Sequence, residues 1–238
     1  MSNIALIFAG GSGKRMNTVS KPKQFLELRG KPIIIYTLEL FDNHPMIDGI
    51  VISCIKEWIP YLEKLIKKIC ISKVKAIVPG GDTGQDSIYN GLEAAKDLFT
   101  DCSILIHDGV RPLINEKTIT DNVESVLIYG SCITCIPATE TFIVNNPRGA
   151  IDIPSRKDSL IARAPQSFLL QDILSVHRRA KSEGRHDFID SCSMMNYYGY
   201  KLHTIVGPVE NIKITTPTDF FIFRALIDVY ENQQIFGF

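Results

Sequence analysis

Apolar residues recur along this chain in two alternating patterns. Short runs, at Ile4–Ala9, Gly49–Ile55, Lys73–Val78, Ser103–His107 and Cys132–Ile136, have the length and composition of strands buried on both faces. Between them lie stretches with apolar residues every three or four positions: Ile33–Phe41, opened by Pro32, then Ile59–Ile69, Ser87–Phe99 and Glu116–Ile128. Further helices are predicted at Gln171–Ser182, Asp190–Tyr198 and Pro217–Glu231, and a last strand at Lys201–Val206. This β-α-β rhythm predicts an α/β fold: a single Rossmann-like, mostly parallel sheet with helices on both faces.

The rhythm breaks between Ala138 and Arg163. Thr141–Val144 and Ala150–Ile153 read as two short strands joined by an Asn-Asn-Pro-Arg-Gly turn, a hairpin projecting from the sheet. With no repeat or linker, residues 1–238 read as one domain carrying an arm at about 139–157.

At 238 residues the chain can bury a full core, and 45% hydrophobic with 22% charged residues excludes a disordered or fibrous protein. Twenty-six basic residues balance 26 acidic ones. That balance argues against nucleic acid or a membrane as a partner held by bulk charge, so any anion site is local. Six cysteines are scattered through mostly apolar surroundings. Cys132-Ile-Thr-Cys135 lacks a second pair, so buried thiols in a reducing compartment are expected. The first residues have no basic start, and no run approaches a membrane span. A cytoplasmic location is expected.

Ligands of such sheets bind at the carboxyl ends of the strands. After Ala9 comes Gly10-Gly-Ser-Gly-Lys-Arg-Met16, then Lys21-Pro-Lys-Gln24. Glycines (Gly10, Gly11, Gly13) let backbone N–H groups approach phosphate oxygens, and Lys14, Arg15, Lys21 and Lys23 cluster charge that calls for an anion. The loop is neither a Walker A motif nor a clean dinucleotide fingerprint. A second strand end, Pro79-Gly-Gly-Asp-Thr-Gly-Gln-Asp-Ser87, suits the edge of a base, or else a turn with Asp82 or Asp86 as a helix cap. At a third, His107-Asp-Gly-Val-Arg-Pro112, Asp108 is placed for Mg²⁺ beside a phosphate clamp at Arg111, or for a plain loop ion pair. Together these loops describe a site for a magnesium-bound nucleoside triphosphate. In Asn211-Ile-Lys-Ile-Thr215, strand alternation would turn Lys213 away from its isoleucine neighbours, towards solvent or a substrate phosphate. Thr218 or Asp219 is expected to cap the last helix.

These residues, taken in order, resemble the cytidylyltransferases of small polyol phosphates, a family that includes the enzymes for 2-C-methyl-D-erythritol 4-phosphate and ribitol 5-phosphate. Ala9-Gly-Gly-Ser-Gly-Lys-Arg-Met16 is similar to its A-x-G-x-G-x-R-M, and Pro22-Lys-Gln24 to its P-K-Q. His107-Asp-x-x-Arg-Pro112 resembles its H-D-x-x-R-P, and Asn211-Ile-Lys-Ile-Thr215 its N-I-K-x-T. Gly109 stands for an alanine, Ala164 for the Thr of T-P-Q, and Ile189 precedes Asp190 where relatives have Thr.

The resemblance implies attack by an acceptor phosphate on the α-phosphorus of CTP. Arg15, Lys23 and Lys213 would be catalytic, with Asp108 holding Mg²⁺. Ala9, Gly10, Gly11, Gly13, Lys14 and Asp108 would bind the nucleotide, while Gly81, Asp82 and Ser87 read cytosine. Arg111, Arg156, Asp190 and Thr215 would bind the polyol phosphate, and the loss of the Thr hydroxyl at Ala164 removes one phosphate contact. The 139–157 arm would form a homodimer and carry Arg156 across it. Ile153-Pro-Ser-Arg156 and Asp190-Ser-Cys192 look more like the ribitol branch than the methylerythritol branch. A sugar-1-phosphate nucleotidyltransferase would leave H-D-x-x-R-P unexplained, and a non-catalytic CTP sensor would leave Arg15, Lys23 and Asp108 without work.

Overall fold

In the computed structural model, which describes residues 1–11, 21–145, 149 and 151–236 (233–236 by backbone alone), β1 (Ser2–Ala9) lies inside a seven-stranded sheet. Its Ile4–Ile7 run is wholly buried, as a strand with layers on both sides requires. A short antiparallel pair, β2 (Glu27–Leu28) and β3 (Lys31–Pro32), precedes α1 (Ile33–Asn43). There follow β4 (Gly49–Cys54), α2 (Ile59–Ile69), β5 (Val74–Pro79), α3 (Gly84–Leu98), β6 (Cys102–Asp108), α4 (Glu116–Tyr129) and β7 (Ser131–Pro137). The arm contributes β8 (Val144–Asn145) and β9 (Ile151–Asp152), and the chain returns through β10 (Leu160–Leu169), α5 (Leu170–Ser182), α6 (Ser191–Tyr197), β11 (Thr204–Val206) and α7 (Pro217–Phe236).

The sheet order is β11-β7-β10-β6-β1-β4-β5, and β10 alone runs against its neighbours. Alternation along β1 divides the core. Ile4 and Leu6 pack with Leu92 of α3, Ile173 of α5 and Met194 of α6. Ala5 and Ile7 pack on the other face with Leu38 of α1, Leu62 of α2 and Val123 of α4. Helices therefore cover both faces, as the rhythm predicts.

Three local expectations are corrected. β10 lies where the sequence pattern predicts no strand, because Arg163 and Pro165 interrupt its apolar residues. Its pairing with β7 shifts register between Ala162 and Gln166, so the N–H that Pro165 lacks falls where the ladder is broken. Buried polar positions in β10 are matched by partners instead: Ser167 Oγ donates to Asn122 Oδ1 at 2.7 Å. The segment 211–215 is not a strand, although Ile214 is buried and its N–H donates to Val110 O at 2.9 Å. Finally, α3 is capped by Thr83 with Asp86 reciprocating, and α7 begins with Asp219 and Thr216 exchanging hydrogen bonds. Asp82 and Thr218 are not caps. Asp82 makes no hydrogen bond or ion pair among the described residues.

Candidate active site

The carboxyl ends of β1 and β6 lie side by side, Phe8 paired with Asp108, and the loop after β5 closes over them. Gln24 holds the root of the first loop: its side-chain amide donates to Ala9 O at 2.6 Å and to Gly11 O at 3.3 Å. That leaves Ala9, Gly10 and Gly11 lining a cleft of about 650 Å³. Its other walls carry Lys23, Gly81, Asp82, Ser87, Asp108 and Lys213. Every predicted nucleotide residue that is described therefore lines one cavity. Gly13, Lys14 and Arg15 lie outside the described residues.

Close approach explains two of the glycines, Gly10 and Gly81. A Cβ on Gly10 would fall 2.4 Å from Ser87 Oγ, and one on Gly81 would fall 2.3 Å from the Asp86 Cβ. Ser87 Oγ accepts from Gly81 N–H and donates to Thr83 O, each at 3.0 Å. Ser87 thus braces the loop that presents Asp82.

Asp108 is the electrostatic centre. Arg111 Nε donates to Oδ2 at 2.7 Å, and Lys213 Nζ lies 2.5 Å from Oδ1. Burial alone would raise the carboxyl's pKa, but the Arg111 and Lys213 charges outweigh it and hold the group well below the usual carboxylate range. It is ionised at neutral pH. Arg111 is anchored again by Asn211 O at 2.9 Å, and the Asn211 amide donates to Ala164 O at 2.6 Å. Beneath them His107 Nε2 donates to Arg111 O at 3.1 Å. Its pKa is pushed down to about 4, chiefly by burial, so the imidazole is neutral. Lys23 Nζ donates to Ile214 O at 3.2 Å, which ties the first loop to the segment bearing Lys213.

A second cavity of about 250 Å³ opens on the far side of Asp108 and Lys213, with Arg111, Arg163, Gln166 and Asp190 in its walls. Phe8, Gly84, Asp108 and Lys213 line both cavities. Asp190 caps α6 and accepts from Gln166 Nε2 at 3.1 Å. Two predicted acceptor residues stand elsewhere. Thr215 donates its hydroxyl to Asp219 Oδ2 at 2.8 Å and lines neither cavity. Exposed Arg156 lies at the base of the arm, with Nη1 3.4 Å from Thr139 O. Sequence reading assigned nothing to Arg163 or Gln166. A lone cation inside the apolar run Ile161–Ala164 was the available signal.

A glycine-rich turn after the first strand, joined through one ionised aspartate to a second, cation-lined cavity, defines a nucleotidyltransferase of the doubly wound α/β type. The family model described as 2-C-methyl-D-erythritol 4-phosphate cytidylyltransferase (IspD) matches residues 3–228, and the chain belongs to that family. It is 54% identical over 237 residues to the ribitol-5-phosphate cytidylyltransferase of Vibrio parahaemolyticus, covering 99% of this chain and 100% of that one. To the 2-C-methyl-D-erythritol 4-phosphate cytidylyltransferase of Clostridium botulinum (strain Loch Maree) it is 38% identical over 228 residues, 95% of this chain and 97% of the other. The crystal structure of the 4-diphosphocytidyl-2C-methyl-D-erythritol synthase from Anaerococcus prevotii shares the fold, with a TM-score of 0.82 at 24% identity over 95% and 96% of the two chains.

Proposed function

We propose that the chain transfers the cytidylyl group of CTP to D-ribitol 5-phosphate, giving CDP-ribitol and pyrophosphate. The observation that carries this reading is the pair of cavities meeting at Asp108 and Lys213, one sized and lined for a nucleotide and one for a phosphorylated acceptor. The greater identity to a ribitol-5-phosphate enzyme than to a methylerythritol one supports the choice of acceptor.

An oxygen of the acceptor's phosphate attacks the α-phosphorus, the bond from that phosphorus to the bridging oxygen breaks, and pyrophosphate departs with the bonding pair. No proton need be removed from a phosphate dianion, so catalysis is positioning and charge stabilisation. Lys213, at the junction, faces the charge that grows as both phosphates approach. Lys23 takes the nucleotide side, and Arg15, which lies outside the described residues, is the other catalytic cation the sequence offers. Asp108 is the ionised oxygen donor lining the cleft that would hold a magnesium ion, its two oxygens also pairing Lys213 and Arg111. The ion would supply charge neutralisation at the triphosphate.

The same reading makes the protein a homodimer through the 139–157 arm, supported by the exposed Ile143, Val144, Ile151 and Ile153. A cytoplasmic location is supported by six free cysteines. No helix among the described residues is long and apolar enough to cross a membrane.

The test is kcat/KM for D-ribitol 5-phosphate against 2-C-methyl-D-erythritol 4-phosphate, followed by pyrophosphate release from CTP. Ribitol 5-phosphate is expected to win by at least about tenfold, the discrimination of roughly one well-made polar contact. Parity or reversal overturns the acceptor, and CTP binding without release from either overturns the enzyme.

A further inference from the structure

Three cations line the smaller cavity, and they are not equivalent. Arg111 and Lys213 both spend their charge on Asp108, and Arg111 is fixed again by Asn211 O. Arg163 has no carboxylate or hydrogen-bond acceptor among the described residues, and its Nε is buried without a partner. The other carboxylate in that wall, Asp190, is occupied in capping α6 and in accepting from Gln166. Nothing in the local fold therefore explains a guanidinium here. A buried N–H without an acceptor is destabilising, and the Arg111 charge adds repulsion.

The backbone makes the placement deliberate. Where β10 loses register between Ala162 and Gln166, three consecutive residues (Ala162, Arg163 and Ala164) all reach the cavity wall, which strict alternation would forbid. The residues on either side of Arg163 are alanines, which leaves room around the guanidinium for a ligand.

We propose that Arg163 grips the phosphate monoester of the acceptor, supplying the unpaired forked donors that Arg111, anchored to Asp108 and Asn211, and the single ammonium of Lys213 do not. A dianionic phosphate presents oxygens that match a guanidinium fork and would satisfy the orphaned Nε. Arg163 then sets both the affinity for the acceptor and the angle at which its phosphate meets the α-phosphorus across Lys213. The proposal rests on assigning the smaller cavity to the acceptor, and the experiment separates the two.

R163Q and R163K are compared with the unaltered protein by pyrophosphate release, with D-ribitol 5-phosphate and CTP each varied in turn. R163Q is expected to raise the KM for the polyol phosphate by about 10- to 100-fold, the loss of a charge-assisted hydrogen bond. The KM for CTP should stay within about twofold, since the nucleotide cleft is untouched. R163K, which keeps the charge but loses the fork, should fall between. Added methylguanidinium should recover part of the activity of R163A, which a merely structural arginine would not allow. An unchanged acceptor KM, or acceptor and CTP constants rising together, overturns the role of Arg163 while leaving the proposed reaction standing. If R163Q does not fold, R163K is decisive: it must still raise the acceptor KM alone. Should the unaltered protein use only methylerythritol 4-phosphate, the same KM split is read with that ester. Should it release no pyrophosphate with either, the reaction and the Arg163 proposal fall together.

Discussion

Lys213 places its ammonium 2.5 Å from Asp108 Oδ1, at the junction of the two cavities, while Arg111 occupies the other oxygen of the same carboxylate from the buried side. The pair is asymmetric: Lys213 is 38% exposed, the Asp108 side chain 7%. Removing Lys213 therefore takes charge from the reaction with less damage to the fold than removing Asp108. Lys213→Gln is expected to lower kcat by about 10²–10³, as for other donors to a charge-developing centre, with a smaller loss of denaturant stability than Asp108→Asn, because Arg111 still pairs the buried carboxylate. Asp108→Asn strands Arg111 in the interior, so it should lose comparable activity and also about 3 kcal/mol of stability. Activity surviving in Lys213→Gln, or the two variants being equally unstable, would contradict this division of labour.

Much of the architecture was readable because its signals are local. β1, β4 and β6 are continuous apolar runs, and most of the helices carry apolar residues at helical spacing. The motifs at the strand ends could be placed because topology fixes where strand ends converge. What escaped depended on tertiary partners. Arg163 and Pro165 break the apolar pattern of β10, and its polar residues are buried only by virtue of partners, Ser167 by Asn122 and Gln166 by Asp190 and the Cys192 N–H. Thr83 outcompetes Asp82 as the cap of α3 through a reciprocal bond with Asp86, which a list of acceptable cap residues does not rank. The ion triad at Asp108 could be guessed as a pair from H-D-x-x-R-P, but Lys213 joins it from more than 100 residues away.

Because Thr83 caps α3, the Asp82 carboxylate is left lining the nucleotide cleft with no partner among the described residues. A carboxylate there would accept from the exocyclic amine of cytosine, which uracil replaces by a carbonyl. Asp82→Asn keeps the shape and loses the bias. In a competition assay the preference for CTP over UTP should fall by about tenfold or more, while kcat/KM for CTP drops less. Undiminished preference removes Asp82 from base reading.

Two imidazoles make the fold acid-sensitive. Burial pushes the pKa of His107 down to about 4 and, with help from the Lys181 charge, that of His177 to about 4 as well. Below pH 6.5 the unfolded chain takes up protons at both positions that the folded chain refuses, so stability falls as pH falls, and the loss ends near pH 4 where the folded groups also charge. At about 1.4 kcal/mol per pH unit, each imidazole costs the folded state about 3 kcal/mol across that window. The Asp108 carboxylate acts lower: its contribution is intact above the ordinary aspartate range and is lost only as pH drops further. His177→Gln should remove the His177 share of the decline, about 3 kcal/mol between pH 6.5 and 4, in urea titrations. An identical slope would mean that His177 titrates normally in the folded protein.

The proposed homodimer would link assembly to catalysis through the arm. Ile143 and Ile151 are 63% and 65% exposed on either side of the β8–β9 pairing, an apolar surface that a second copy of the chain would cover. Arg156, just beyond, lines neither cavity of its own protomer. If it serves the partner's acceptor cavity, R156Q and D108N homodimers should each be weak, yet mixing and re-equilibrating them should create an active site. In the mixed dimer the R156Q protomer keeps Asp108 and receives an intact Arg156 from its D108N partner. Random exchange makes about half of the dimers mixed, each with one complete site, so recovery of about a quarter of normal activity is expected. A double variant, I143D/I151D, should run as a monomer in light scattering and abolish that recovery. If mixing restores nothing while light scattering shows dimers, Arg156 does not act across the interface; if the unaltered protein is itself monomeric at micromolar concentration, the arm has another use.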